Sequence, residues 1–262
     1  MDTLPSSFPA APASMPPGRV FAAYLQETRA ECLRYLRSPS FLLPTLLFPA
    51  VFFLMFGVVL AGHSTPEAPR FLLASYSTFG VMAPGLFGFG MSLALERDNG
   101  LLTLKRALPM PPAAYLIGKM AMAMLVAALI TALLQTLGLT LAHVQLQAPQ
   151  MLRLALVCIA GAVPFCALGL LLGTLVKGQG APAMVNLLYL PMAFLSGLWF
   201  PLQMLPPLVR AQAPLWPSYH LNALAQSAVG FDTGSAWPHL LWLAVFTLVV
   251  LAIAVRRLRR HG

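Results

Sequence analysis

The chain has 262 residues, 59% of them hydrophobic and 9% charged, with a formal net charge of +9. Soluble domains carry about 25% charged residues, so a chain this poor in charge cannot cover the surface of a soluble globule. The positive charge sits mainly at the ends of long apolar runs, where it orients spans; no aromatic-basic platform outside them suits a nucleic-acid strand.

Met1 to Gly18 is rich in Pro, Ala and Ser and lacks the early apolar core of a signal peptide. It reads as a disordered segment, residues 1–18. Arg19 to Ser38 then reads as an amphipathic helix. At 100° per residue Phe21, Leu25, Thr28, Cys32 and Leu36 make one stripe, interrupted by Arg29, with Glu27, Glu31 and Arg34 opposite. Such a helix lies in the membrane interface, or packs on a partner in the cytosol.

Six apolar runs follow, at about 41–61, 71–95, 115–142, 154–176, 183–200 and 237–255. Each is read as a transmembrane helix. Residues 19–262 therefore form one all-α membrane domain. Lys119 stands near enough to the start of the third span to snorkel outward. Pro44, Pro49, Pro84, Pro164 and Pro191 fall inside spans and can kink them. Gly169 and Gly173 make a small-xxx-small pair suited to close helix packing. Between the last two spans, Pro201 to Asp232 is apolar but broken by five prolines. No unbroken span fits there, and two short helices dipping into the outer leaflet, a re-entrant segment, fit better.

An even span count puts both termini on one side. If that side is the cytoplasm, the outer segments hold only Arg70, Arg153 and Arg210 of the 16 basic residues, leaving 13 inside. Cys32, Cys158 and Cys166 read as small apolar fillers. Cys158 and Cys166 are about 12 Å apart along one helix, too far for a disulfide.

The chemistry of the chain is marked by what it lacks. The acidic residues are Asp2, Glu27, Glu31, Glu67, Glu96, Asp98 and Asp232, and none falls in mid-span. Ion-coupled carriers keep an ionisable group within the membrane. No P-loop occurs; Lys177 follows Gly173 without the required spacing or hydroxyl. His63, His143, His220, His239 and His261 show no metal-ligand spacing, and neither a nucleophile elbow nor a carboxylate pair appears. The chain is read as non-catalytic, with no metal and no cofactor of its own.

One cytosolic loop stands out: Glu96-Arg97-Asp98-Asn99-Gly100, then Leu101 to Leu108, then Pro109. Gly100 permits a sharp turn. Leu101 to Leu108, with Leu104, Lys105 and Arg106, allows about two helical turns, apolar on one part and basic on the rest. That shape suits docking into a groove on another protein, or is a solvated loop that only orients the spans.

Here the sequence resembles the permease subunits of ABC exporters, the ABC type-2 permease family of multidrug, lipid and polysaccharide exporters. Glu96, Arg97, Gly100, Leu104, Lys105, Arg106 and Pro109 match the character of the family's run after its second span. Asp98 replaces the usual Glu, and Gly100 stands further than usual from Leu104-Lys105-Arg106. Phe194-Leu195-Ser196-Gly197-Leu198-Trp199-Phe200-Pro201-Leu202, Leu205-Pro206-Pro207 and Pro217-Ser218-Tyr219-His220-Leu221 are similar to the family's stretch after the fifth span. The resemblance runs from about Arg19 to the C-terminus.

It implies a permease that pairs with a second copy or a similar subunit in a bacterial inner membrane, both termini cytoplasmic. Separate cytosolic ABC ATPase subunits would bind ATP and Mg and dock on Leu101 to Leu108 as a coupling helix. Glu96 and Arg97 would brace that helix against the amphipathic helix or the motor. The expected function is ATP-driven export, and the nearly uncharged spans favour a hydrophobic or amphipathic cargo. The other readings are an ion-coupled multidrug carrier and a membrane-embedded enzyme or assembly scaffold.

Overall fold

A computed structural model describes residues 16–60, 65, 67–101, 104–105 and 111–261, without the side chains of 112 and 259–261. Residues 1–15 of the expected disordered segment 1–18, His63, Arg106 and Leu108 lie outside the described residues, and so does the side chain of His261; Pro17 and Gly18 of that segment already belong to the first helix. Among the described residues there is no strand. The fold is all helical: α1 (Pro17–Leu36), α2 (Pro39–Leu60), α3 (Ala68–Asp98), α4 (Pro112–Thr140), α5 (Ala148–Leu175), α6 (Ala181–Leu195), α7 (Pro207–Gln212), α8 (Pro217–Ala228) and α9 (Ala236–His261).

Five helices are long and apolar enough to cross a membrane: α2, α3, most of α4, α5 and α9 up to Leu258. The chain is a multi-pass membrane protein. The fifth expected run is the 15-residue helix α6, which ends at Leu195 rather than Phe200. At 1.5 Å per residue it covers about 22 Å, against about 30 Å of hydrocarbon. Gly197, at φ +74°, turns the chain there.

α3 is the central element. In its most apolar stretch 83% of residues are buried, against 22% for α2 and 17% for α9, which lie at the rim. Tyr76, Phe79, Met82 and Leu86 of α3 are fully buried. Phe79 stacks on Tyr189 of α6 and meets Trp199 edge-on. Two stretches wind as π-helix, Phe53–Leu60 in α2 and Pro84–Met91 in α3. Pro84 opens the second and Pro49 stands four residues before the first. A proline supplies no N–H to the helical ladder, and the altered register is a local response to that loss.

The glycine pair packs as its spacing predicts. A Cβ on Gly169 would stand 2.3 Å from the Gly85 carbonyl oxygen, and one on Gly173 would stand 2.7 Å from that of Gly90. α5 and the π-helical part of α3 thus touch backbone to backbone. Pro201 to Asp232 forms short helical pieces, including α7 and α8, and no long helix. Ser196 Oγ at the end of α6 and Ser218 Oγ of α8, 2.5 Å apart, tie this stretch back to α6. All three cysteines are free, with Cys158 and Cys166 buried.

Candidate functional site

The amphipathic pattern of α1 is present, but the face that packs inward is the polar one. Phe21 and Leu25 are 72% and 61% exposed, while Glu31 is 3% exposed. The helix crosses α4 where Gly118 leaves room: a Cβ there would stand 3.3 Å from the backbone of Glu27 and Thr28. The carboxylates of α1 are thereby set on the last turn of α3 and the first turns of α4. Of the apolar stripe, Phe21, Leu25 and Leu36 are left exposed, where lipid can cover them, while Cys32 packs against the core.

Lys119 does not snorkel. Its side chain is fully buried and its ammonium lies 3.0 Å from Glu96 Oε1, 3.3 Å from Glu31 Oε2 and 2.8 Å from Ser92 Oγ. The physical reason is the packing of α1 over α4, which closes the route to water and supplies the counterions in its place. Arg34 joins the same group, with Nη1 2.5 Å from Glu96 Oε1 and Nη2 2.6 Å from Glu31 Oε2. Tyr115 donates its hydroxyl hydrogen to Glu96 Oε2 at 2.5 Å.

Lys105 extends the group into the loop after α3. Its ammonium binds Glu27 and lies 2.9 Å from Glu31 Oε1. The Tyr115 ring receives both ammoniums, Lys105 at 4.5 Å and Lys119 at 5.1 Å from its centroid. Three carboxylates (Glu27, Glu31, Glu96) thus face three cations (Arg34, Lys105, Lys119), and the cluster is neutral. Burial opposes the charge of Lys105, but Glu27 and Glu31 outweigh it and hold the ammonium above the ordinary lysine value. The same balance, with Glu31 and Glu96 as partners, raises Arg34. A buried charge needs such partners, because removing one strands the other in a dry site.

Arg97 goes elsewhere. Its Nη1 donates to the carbonyls of Gly173 at 3.1 Å and Thr174 at 2.9 Å, and its Nη2 to Val176 at 2.8 Å. These are the carbonyls that the end of α5 leaves unpaired, where a cation also meets the negative end of the helix dipole. Asp98 Oδ2 accepts from the Gly178 N–H at 2.6 Å. The two side chains clamp the end of α3 to the end of α5.

Gly100 turns the chain at φ +72°. Leu101, Leu104 and Lys105 are helical, and Leu104 is 66% exposed. Of the residues singled out in the sequence, Glu96 and Lys105 therefore enter one cluster, and Arg97 a second. Gly100, Leu101 and Leu104 lead away from both, and Arg106 and Leu108 are not described. Sequence reasoning missed Glu27, Glu31, Arg34, Tyr115 and Lys119 as members. A lysine four residues into an apolar run was the available signal, since such a charge requires a counterion.

With this geometry in view, the comparison with known proteins is direct. The sequence model of the "ABC-2 type transporter" family matches residues 23–229. The chain belongs to the ABC-2 type transporter family. It is also 26% identical over 232 residues to "Putative transport permease YvfS" of Bacillus subtilis (strain 168), covering 87% of this chain and 94% of that protein. The matched region of this ABC-2 chain begins within α1, ends just after α8, and contains every member of the ion cluster. Among its described residues no group of three or more potential metal ligands occurs.

Proposed function

We propose that this ABC-2 chain is the permease subunit of an ATP-driven exporter, moving a hydrophobic or amphipathic cargo on energy supplied by separate cytosolic ATPase subunits. In this reading α6 with its flanking turns is the fifth of six spans, and Pro201 to Asp232 is re-entrant from the outer side. Both termini face the cytoplasm of a bacterial inner membrane, and two copies pair around the cargo path. The chain itself hydrolyses nothing; ATP and Mg belong to the partner.

The observation that carries the reading is the double engagement of Lys105. From the loop after α3 it holds Glu27 and Glu31 of α1, and Glu31 in turn holds Lys119 of α4. A push on the exposed Leu104 from the cytosol therefore reaches α1, α3 and α4 through charge pairs, not through a flexible linker. Leu101 and Leu104 offer the apolar surface for docking. Hydrogen-bonded charge networks of this kind are one physical route by which displacement of one element reaches its neighbours.

The carrier reading draws on Glu31, Glu96 and Lys119, which are ionisable and buried. Each carboxylate is matched by a cation, however, and none is left to take up a driving proton or sodium. The deciding experiment is affinity purification of the full chain from its native membrane. The reading expects an ABC ATPase to co-purify, and ATP hydrolysis to depend on it. Cargo movement driven by an ion gradient in liposomes free of ATP, with no ATPase recovered, would overturn it.

A further inference from the structure

The ion cluster consumes the carboxylates of α1 and leaves most of its arginines free. Glu27 and Glu31 turn inward to Lys105, Lys119 and Arg34. Arg19, Arg29 and Arg37, the last at the C-cap, are exposed. Among the described residues none of these three forms an ion pair or a side-chain hydrogen bond. A helix that carries both signs of charge therefore presents an outer face of one sign.

The residues on that face are ordered around the helix. At about 100° per residue it runs from Phe21 through Leu25 and Leu36 to Arg29, and on to Arg19 and Arg37, which share one angle. Glu31 and Tyr35, both buried, lie on the opposite side. Arg29 breaks the apolar stripe in the sequence. In the fold it stands between the apolar edge and the other two arginines, where its stem can lie along acyl chains while its guanidinium reaches outward.

The spans fix the level of this face. Only Arg37 and Ser38 separate α1 from α2. Arg34 ties α1 to the last turn of α3 through Glu96, and Glu31 ties it to the start of α4 through Lys119. The end of α9 reaches the same turns of α4, where Val255 and Leu258 pack with Tyr115 and Leu116, and Arg256 and Arg257 beside them are exposed. The ends of four spans thus stand at the level of α1, where a bilayer passes from acyl chains to headgroups. Asp98, exposed at the same end, is engaged by the Gly178 N–H and stands beside Arg97.

Charge complementarity selects the occupant. A protein partner would have to bring carboxylates and an apolar groove together on one surface. An anionic leaflet offers phosphates for the guanidiniums and acyl chains for Phe21 and Leu25 along the whole length of the helix.

We propose that the outer face of α1 binds anionic phospholipid, with Arg19, Arg29 and Arg37 on the headgroup phosphates and Phe21, Leu25 and Leu36 against the acyl chains. The lipid holds α1 from the side opposite the ion cluster. Binding needs neither an ATPase nor a cargo.

Native mass spectrometry of the full chain tests this in detergent doped with phosphatidylglycerol or phosphatidylcholine. Both headgroups carry a phosphate, but in the second a choline neutralises it. A basic residue near an anionic lipid surface is worth about fivefold in binding. Phosphatidylglycerol is expected to be retained roughly tenfold better, and Arg29→Gln combined with Arg37→Gln to remove most of that preference. Arg153→Gln combined with Arg210→Gln makes the same change in net charge at exposed positions of α5 and α7, and should leave the preference intact. Added phosphatidylglycerol should raise the melting temperature of the wild type and of R153Q/R210Q, but not that of R29Q/R37Q. Equal retention of the two lipids by the wild type, or the same loss of preference in both double variants, would overturn the proposal.

Discussion

Lys119 Nζ and Glu96 Oε1 meet at 3.0 Å with the lysine side chain fully buried and the glutamate 8% exposed. The pair joins the start of α4 to the end of α3, and Glu31 and Arg34 bind the same two groups from α1. Three helices are therefore held by one set of charges at the C-terminal end of α3.

Lys119→Met keeps the length of the side chain and removes its charge. Glu31 and Glu96 then stay buried with less compensation, and the expected loss is about 3–5 kcal/mol. Adding Glu96→Gln should recover part of it, since fewer buried charges remain unpaired. Thermal unfolding of the purified single and double variants measures both, and additive losses would contradict the pairing.

Arg97→Lys tests the clamp on α5. A single ammonium cannot satisfy three carbonyls in the fixed arrangement of a guanidinium. The expected cost is about 2 kcal/mol, with faster hydrogen exchange near Gly173 to Val176. Unchanged exchange in that stretch would argue that the clamp contributes nothing.

Gly169→Ala places a methyl 2.3 Å from the Gly85 carbonyl oxygen, a contact only a backbone shift can relieve. Overpacking of this kind costs about 1–3 kcal/mol. Gly18→Ala, with nothing within 4 Å of the added carbon, is the matched control and should be near neutral. The difference in melting temperature between the two variants is the readout.

Much of this was legible beforehand, for reasons visible in particular residues. Charge-free runs such as Met120 to Ala142 announce helices because only apolar side chains are stable against lipid. Gly169 and Gly173 announced a close packing face, and Gly100 a turn. What one sequence does not carry is which helix lies over which. The role of Lys119 depends on α1 crossing at Gly118, 91 positions after Glu27. The inward face of α1 could not be assigned from its pattern, because in a membrane protein the polar side can be the buried one. His220 and His239 pair only because α8 and α9 pack together.

The pH dependence of the Lys105 contact has a definite sign. Its folded pKa is raised, so its contribution is fully present below the unfolded value of about 10.4 and is lost as pH rises through the higher folded value. The stability difference between wild type and Lys105→Met should be constant from neutral pH to about 10 and shrink above it. A difference that vanished already near pH 8 would show that the ammonium is not held by Glu27 and Glu31.

The most direct test of the central claim is cargo transport by the permease reconstituted with its ATPase partner, carrying Lys105→Glu. The account predicts that transport falls at least tenfold while the ATPase still binds and hydrolyses ATP, and that adding Glu27→Lys restores part of it. Transport at the wild-type rate in K105E, with the ATPase bound, would contradict the claim that Lys105 carries the motion into the membrane.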